Sequence, residues 1–188
     1  MVRFVWAGAL VAAACGSSID DRPATLDYIS ETILAPTCAL AECHSAFKRQ
    51  GGDVFDTPAA TRRTIVANQL VAYPDDVSDP SQSFLIKTLT VGSPSILDPD
   101  SGNVRMPYDA PMPDADIRLI EAWIARGVPG AQCEPNDQNR GCMATTMAGR
   151  TEYDVVECVD GNVGAIITVC PQGQVCRFYT GNGQCVTP

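Results

Sequence analysis

Cys38-Ala39-Leu40-Ala41-Glu42-Cys43-His44 is the stretch of sequence on which the predicted fold depends. Four residues separate the two thiols, and the only histidine of the 188-residue chain directly follows the second one. This C-x4-C-H spacing is two residues longer than the C-x-x-C-H pattern of covalent haem attachment. Two thiols can each bond one vinyl group of a porphyrin, and an adjacent imidazole can then reach the iron. The stretch therefore predicts a haem site, with a local Cys38–Cys43 disulfide as the alternative.

The charge and the histidine content of the chain exclude several kinds of protein. Hydrophobic residues make up 45% of the sequence and charged residues 19%, which is typical of a folded globular protein. Asp and Glu number 22 against 13 Lys and Arg, giving a formal net charge of -9. Nucleic-acid binding requires a basic surface, so this class is excluded. The single histidine also excludes zinc sites or proton relays built from several imidazoles.

A second stretch, Arg105–Pro113, contains two candidates for a further iron ligand. Met106 and Met112 each precede a proline, and a residue before proline is biased away from the helical conformation. The stretch therefore predicts a loop that can present a thioether to a ligand site. A methionine ligand raises the reduction potential of haem iron, whereas filling of the core is the alternative role for either side chain.

Apolar residues at helical spacing flank both stretches. The segment before Cys38 predicts a short helix with apolar positions at Leu26, Ile29, Ile33 and Leu34. After the Met-Pro loop, Asp114 is expected to cap a helix over residues 115–126. The apolar face of this second helix comprises Ile117, Leu119, Ile120, Trp123 and Ile124. Gly127 is expected to end it.

The order of these motifs resembles the single-haem cytochrome c-like domains of bacterial secreted and surface lipoproteins. Two further segments, Gly52–Asp56 and Ser83–Leu89, take the places of a Gly-hydrophobic-Asp motif and an apolar helix of that family. The resemblance covers about residues 22–130. It implies a mainly α fold for this region and a role in electron transfer.

The same resemblance implies the residues of the site. Cys38 and Cys43 would bind haem c covalently, and His44 would be the first axial ligand of its iron. Met106 would be the second axial ligand, because Met112 falls where the family more often has another hydrophobic residue.

The first fifteen residues form an export signal rather than part of the fold. Arg3 supplies a positive charge, residues 4–14 are apolar, and small residues precede Cys15. The apolar run is too short to span a bilayer. The pattern resembles a bacterial lipoprotein signal, which implies that Cys15 is acylated and that residues 16–21 are a tether to the outer membrane or cell surface. An ordinary signal peptide with a chance cysteine is the alternative.

The last third of the chain contains six further cysteines. They are spaced C-x8-C-x15-C-x11-C-x5-C-x8-C and comprise Cys133, Cys142, Cys158, Cys170, Cys176 and Cys185. So many cysteines in a small exported unit predict three disulfides, of which 15 connectivities are possible. A zinc site is the alternative, but the last third of the chain has neither a histidine nor the paired C-x2-C ligands typical of such sites. Short strands are predicted at 153–158, 165–169, 175–179 and 184–186.

Together these patterns predict a mainly α cytochrome c-like domain over residues 22–130. A small disulfide-rich module, β or irregular, follows over residues 131–188. The predicted function is a membrane-anchored c-type cytochrome that carries electrons through one haem rather than an enzyme, with its acidic charge steering it to a basic redox protein. The alternative is a haem-free binding or structural lipoprotein, in which Cys38–Cys43 is a disulfide and the tail recognises a protein or glycan.

Overall fold

The computed structural model describes residues 20–94, 103–108, 110–147, 150–177 and 183–188. The predicted signal segment, the acylation site at Cys15 and the first part of the tether lie outside the described residues. None of the described helices is long and apolar enough to cross a membrane.

Helices occupy the first two thirds of the chain. They are α1 (Leu26–Ile29), a π-helical segment (Ser30–Leu34), α2 (Ala35–Cys38), α3 (Pro58–Ala67), α4 (Phe84–Thr90) and α5 (Asp114–Ala125). Thr25, Thr57 and Ser83 cap α1, α3 and α4, each accepting a hydrogen bond from the N–H three residues later. The predicted cap Asp114 is instead the first residue of α5. Gly127 follows α5 with a φ of +89°, a conformation typical of glycine beyond a helix end.

Trp123 lies in the core that these helices share. It is fully buried, and its Nε1 donates to Pro129 O at 3.1 Å, so the indole nitrogen is satisfied inside the protein. The predicted apolar positions of α1, the π-helical segment and α5 supply much of the surrounding core, namely Leu26, Ile29, Ile33, Leu34, Leu119, Ile120 and Ile124. The helical spacing of apolar residues therefore predicted this packing correctly.

Strands occupy the last third of the chain. β3 (Arg140–Met147), β4 (Arg150–Val159) and β5 (Asn162–Val169) form an antiparallel sheet in that order, and β6 (Val175–Arg177) pairs with β7 (Gln184–Val186). A further short pair joins β1 (Ser93–Pro94) to β2 (Asn103–Val104) in the helical part. The predicted strands coincide with β4 to β7 where the structure describes them, but β3 was not predicted.

The three predicted disulfides are confirmed, and the structure selects one connectivity. Cys133 bonds Cys158, Cys142 bonds Cys176, and Cys170 bonds Cys185. The second of these links β3 to β6 and therefore fixes the β6–β7 hairpin to the sheet. Each disulfide is expected to stabilise a unit of this size by about 2–4 kcal/mol.

The expectation of a mainly α cytochrome c-like fold with a small β or irregular module is wrong. Helix accounts for 34% of the chain and strand for 21%, the strands lying in antiparallel sheets. The helices stay short because proline- and glycine-containing turns interrupt them, and the longest described one has 12 residues. The C-terminal region contains strands of 8 to 10 residues, and each of its disulfides has at least one cysteine on a strand. The chain is therefore a mixed helix-and-sheet protein.

The helical part and the sheet contact each other directly. Gln132 N, in the loop after α5, donates to Gly161 O at 2.8 Å, in the turn between β4 and β5. Arg62 on α3 pairs with Glu134, with Nε and Oε2 2.9 Å apart. These contacts hold the sheet against the helices.

Candidate functional site

The helix that ends at Cys38 brings the first thiol of the motif into place. The chain turns after α2, so that Cys43 N donates to Leu40 O at 2.8 Å and His44 N donates to Cys38 O at 3.0 Å. These bonds fold the four-residue spacer back on itself. The backbone of His44 therefore contacts that of Cys38, even though the spacer is two residues longer than in C-x-x-C-H.

The loop after the motif orients the His44 ring. Nδ1 lies 2.8 Å from Gln50 O and 3.9 Å from Asp53 Oδ2, and the ring packs edge-on against Phe55 with centroids 5.6 Å apart. A carbonyl oxygen only accepts hydrogen bonds, so Nδ1 is the protonated nitrogen and Nε2 of the neutral ring carries the free lone pair. Histidines that ligate metals have this arrangement, with the second nitrogen donating to a carbonyl or carboxylate.

Backbone hydrogen bonds hold this loop against the motif. Gln50 N donates to Cys43 O at 3.0 Å, and Phe55 N donates to His44 O at 3.0 Å. Asp53 lies beside the ring, and burial raises the pKa of its carboxyl, an effect that a hydrogen bond from Asn68 partly offsets. Backbone hydrogen bonds of this loop, together with side chains, therefore fix the orientation of the His44 ring.

Cys38 and Cys43 are half-buried thiols. In the part of the chain that the structure describes, neither forms a disulfide. Burial raises the pKa of the Cys38 thiol, and the hydroxyl of Thr37, 3.5 Å from Sγ, partly offsets this effect. A thiol with a raised pKa is protonated at neutral pH and is a poor nucleophile for disulfide exchange.

The two candidate methionines have different environments. Met112 is 3% exposed and packs in the apolar core with the helices. Met106 is half-buried in the loop after β2, and its N–H donates to Thr88 O of α4 at 2.9 Å. The Thr88 Oγ1 atom is itself buried and has no hydrogen-bond partner among the described residues. The structure thus brings Cys38, Cys43 and His44 together in one turn, and it joins the backbone of the loop that contains Met106 to α4.

Sequence reasoning missed the residues that hold His44. The segment containing Asp53 and Phe55 was recognised as a motif without a role for either residue. The sequence does not reveal the role of the Gln50 carbonyl, because any residue type supplies a backbone oxygen. The signal that could have led to it is the pair Gly51-Gly52, since both adopt positive φ (+69° and +88°) in the turn that follows Gln50.

A cavity of about 160 Å³ lies elsewhere, between the helical part and the sheet. Side chains from both parts line it, including Tyr73, Gln132, Met143 and Tyr153. Neither the C-x4-C-H motif nor Met106 contributes to its wall.

Comparison with protein-family models, with curated proteins and with solved structures finds no match to this chain. The geometry of the motif is therefore the basis for the functional assignment.

Proposed function

We propose that the chain binds haem c through the Cys38 and Cys43 thiols and carries electrons, and that His44 Nε2 would ligate the iron. The observation that carries this proposal is the hydrogen bond from His44 Nδ1 to Gln50 O, which leaves the lone pair of Nε2 free on the residue that directly follows the free thiol of Cys43. When bound, the haem would supply one reversible one-electron centre.

The chain's own residues would hold the imidazole in a single tautomer and orientation. Gln50 O accepts a hydrogen bond from Nδ1–H and thereby makes Nε2 a more basic metal ligand. Phe55 packs against one edge of the ring and limits its rotation. Both contacts are made by the chain's own residues, so the loop itself orients the imidazole.

Met106 is the residue that we propose as the second protein ligand of the iron. The core position of Met112 supports this choice, because a side chain that fills the core is not free to leave it without a cavity. Met106 is half-buried in a loop, where its thioether is less constrained by packing. The unpartnered hydroxyl of Thr88 is a polar group close to this loop that a bound group could satisfy.

The proposal includes export and anchoring of the chain by an acylated Cys15. The tether would place the folded chain at a membrane surface, where its net charge of -9 favours encounter with a basic redox protein.

Covalent haem is tested by producing the full chain in a host with haem-attachment machinery. The expected product is red, and its haem stays on the polypeptide in denaturing electrophoresis. Cys38→Ala and Cys43→Ala should each shift the α band of the pyridine haemochrome, since one vinyl group stays unsaturated, and His44→Ala should remove the low-spin spectrum. Phe47→Ala is the matched control, because this exposed side chain lies in the same loop.

Two results would reject the haem proposal. One is a colourless wild-type chain from a host that matures other c-type cytochromes. The other is a Cys38–Cys43 disulfide in the exported protein, found by peptide mapping, which would support the haem-free binding or structural lipoprotein instead.

The sixth ligand is tested separately. Met106→Ala should remove the methionine–iron charge-transfer band, lower the potential and admit cyanide quickly. Met112→Leu, which preserves the core volume, should do none of these. Loss of the band in the Met112 variant alone would reverse the assignment.

Anchoring is tested by fractionating cells that produce Cys15→Ser. This variant should leave the membrane fraction, because acyl chains supply most of the membrane affinity of such a protein. Unchanged partitioning would reject acylation at Cys15 without affecting the haem proposal.

A further inference from the structure

The cavity between the helical part and the sheet has a wall of one charge sign. Asp75 is the single charged residue among the described residues that line it, and they include no lysine, arginine or histidine. The Oδ2 atom of Asp75 accepts a hydrogen bond from Thr146 N at 3.3 Å. The ion pairs among the described residues do not include this carboxylate. The charge of the cavity therefore disfavours an anion and favours a cation.

Two aromatic rings line the same cavity, one from each part of the molecule. Tyr73 packs, half-buried, against the core of the helical part, and Tyr153 packs, half-buried, against the disulfide-rich core of the sheet. The face of an aromatic ring attracts a cation that lies within about 6 Å of its centroid. A cation that fills this cavity contacts both tyrosines and lies near the Asp75 carboxylate.

Most of the hydrogen-bonding groups in the wall are already bonded within the protein. Gln132 Nε2 donates to Gly127 O at 2.6 Å, and Gln132 Oε1 accepts from Val163 N at 2.8 Å. The hydroxyls of Thr146 and Thr151 bond each other at 3.3 Å. A sugar needs several unpaired donors and acceptors to replace its bonds to water, whereas a cation without N–H groups needs none. The wall therefore suits an alkylated ammonium better than a sugar.

The size and the apolar part of the cavity suit methyl groups around the charge. Its volume is about 160 Å³, and an engineered cavity of about 150 Å³ holds benzene, which is similar in size to a trimethylammonium group. Val66, Val71 and Ala131, all buried, contribute apolar wall. A quaternary ammonium combines an apolar surface with a positive charge, and both properties match this wall.

We propose that the cavity binds a quaternary ammonium cation. Its trimethylammonium group contacts Tyr73 and Tyr153, and Asp75 supplies the opposite charge. The C-x4-C-H motif and Met106 do not line the cavity, so this site is separate from the proposed haem site.

The test is calorimetric titration of choline into the exported full chain carrying Cys15→Ser, which keeps acyl chains and bound lipid away from the site. We expect a dissociation constant on the order of 1 mM or below. The uncharged analogue of choline, in which carbon replaces the nitrogen, has the same shape and should bind at least about tenfold more weakly. Glucose and acetate should not bind.

Variants of the wall separate the ring from the charge. Tyr153→Leu should weaken choline binding at least about fivefold, whereas Tyr153→Phe keeps the aromatic face and should stay within about twofold of the wild-type chain. Asp75→Asn should weaken binding at least about threefold. Asp79→Asn is the matched control, because it removes an exposed carboxylate outside the cavity wall and should leave the affinity unchanged.

Circular dichroism and the disulfide map check that all variants fold. Absence of binding at about 20 mM choline would overturn the proposal. Equal affinity for the uncharged analogue would make the cavity an apolar site, binding of glucose would make it a sugar site, and full affinity in folded Tyr153→Leu would place choline elsewhere. Each of these results would also reject the proposal.

The source of the cation is tested with phosphatidylcholine vesicles. Vesicle binding that Tyr153→Leu abolishes would assign the site to a lipid headgroup, and binding of choline without vesicle binding would assign it to a free cation. Both results support recognition of a quaternary ammonium. None of the measurements depends on whether haem is bound.

Discussion

Residues 22–130 keep both of their cysteines as thiols, whereas residues 131–188 join all six of theirs in disulfides. The helical part has a large apolar core centred on fully buried Trp123. The sheet has a core of four buried residues, three of which are disulfide cysteines. A small core cannot offset the entropy of the chain alone, so covalent links supply the difference. Where the core is sufficient, cysteine is available for chemistry.

The largest expected effect follows from removing a disulfide of the sheet. Cys142→Ala with Cys176→Ala opens a link of 34 residues and should cost about 2–5 kcal/mol of unfolding free energy. The matched double variant Cys38→Ala with Cys43→Ala, made in haem-free protein, should cost about 1 kcal/mol or less, because these thiols are half-buried and unbonded. Urea denaturation measures both. A similar cost for the two variants would show that the motif cysteines are structural as well.

A single methyl group at the contact between the two parts should have the next largest effect. A Cβ on Gly161 would lie 2.0 Å from Gly130 O, and the residue has a φ of +78°. Gly161→Ala should therefore cost about 2–4 kcal/mol. Gly173→Ala is the control, with a φ of +85° but no atom within 4 Å, and should cost only the backbone strain of about 1–2 kcal/mol.

Thermal unfolding would show whether the Gly161→Ala variant has lost the contact between the helical part and the sheet. If the helical part and the sheet separate, the unfolding transition should split into two. Equal destabilisation by the two glycine variants would mean that the contact at Gly161 contributes nothing.

A smaller effect is expected from the ion pair between the two parts. A double-mutant cycle with Arg62→Met and Glu134→Gln should give a coupling of about 0.5–1 kcal/mol, since both side chains are partly buried. Arg63 is more exposed and 3.5 Å from the same carboxylate, so the cycle with Arg63→Met should give less. Addition of 1 M salt should reduce the couplings. The reverse order of the two arginines would contradict this geometry.

The smallest effect concerns Asp154 on β4. Burial raises the pKa of its carboxyl above the ordinary value, and the charge of Glu152 raises it further. The folded chain therefore binds this proton more tightly than the unfolded chain, so the native protein loses stability as pH rises from about 4 through the folded pKa. Asp154→Asn should raise Tm slightly at pH 7, and the gain should disappear toward pH 4. A gain that persists at pH 4 would show that packing, not charge, is responsible.

Some features of the fold could be predicted because neighbouring residues determine them. The apolar face of α5 follows from helical spacing, and its predicted residues are buried around Trp123. Strands β4 to β7 follow from β-branched and aromatic residues between turns. β3 was missed because Arg140–Met147 contains glycine, alanine and two methionines and shows no alternation. Its strand conformation comes from pairing with β4, and local sequence patterns do not predict this pairing.

The thiols, the histidine beside them and the Met-Pro loop could be identified from the chain alone, because each is a matter of residue type and spacing. Tertiary structure alone decided the state of each group. It selected one cysteine pairing out of 15 possible ones, buried Met112 in the core rather than Met106, and directed His44 Nδ1 to Gln50 O. These outcomes depend on the positions of backbone atoms and on residues distant in sequence. Such positions are settled only when the whole core and the sheets pack together.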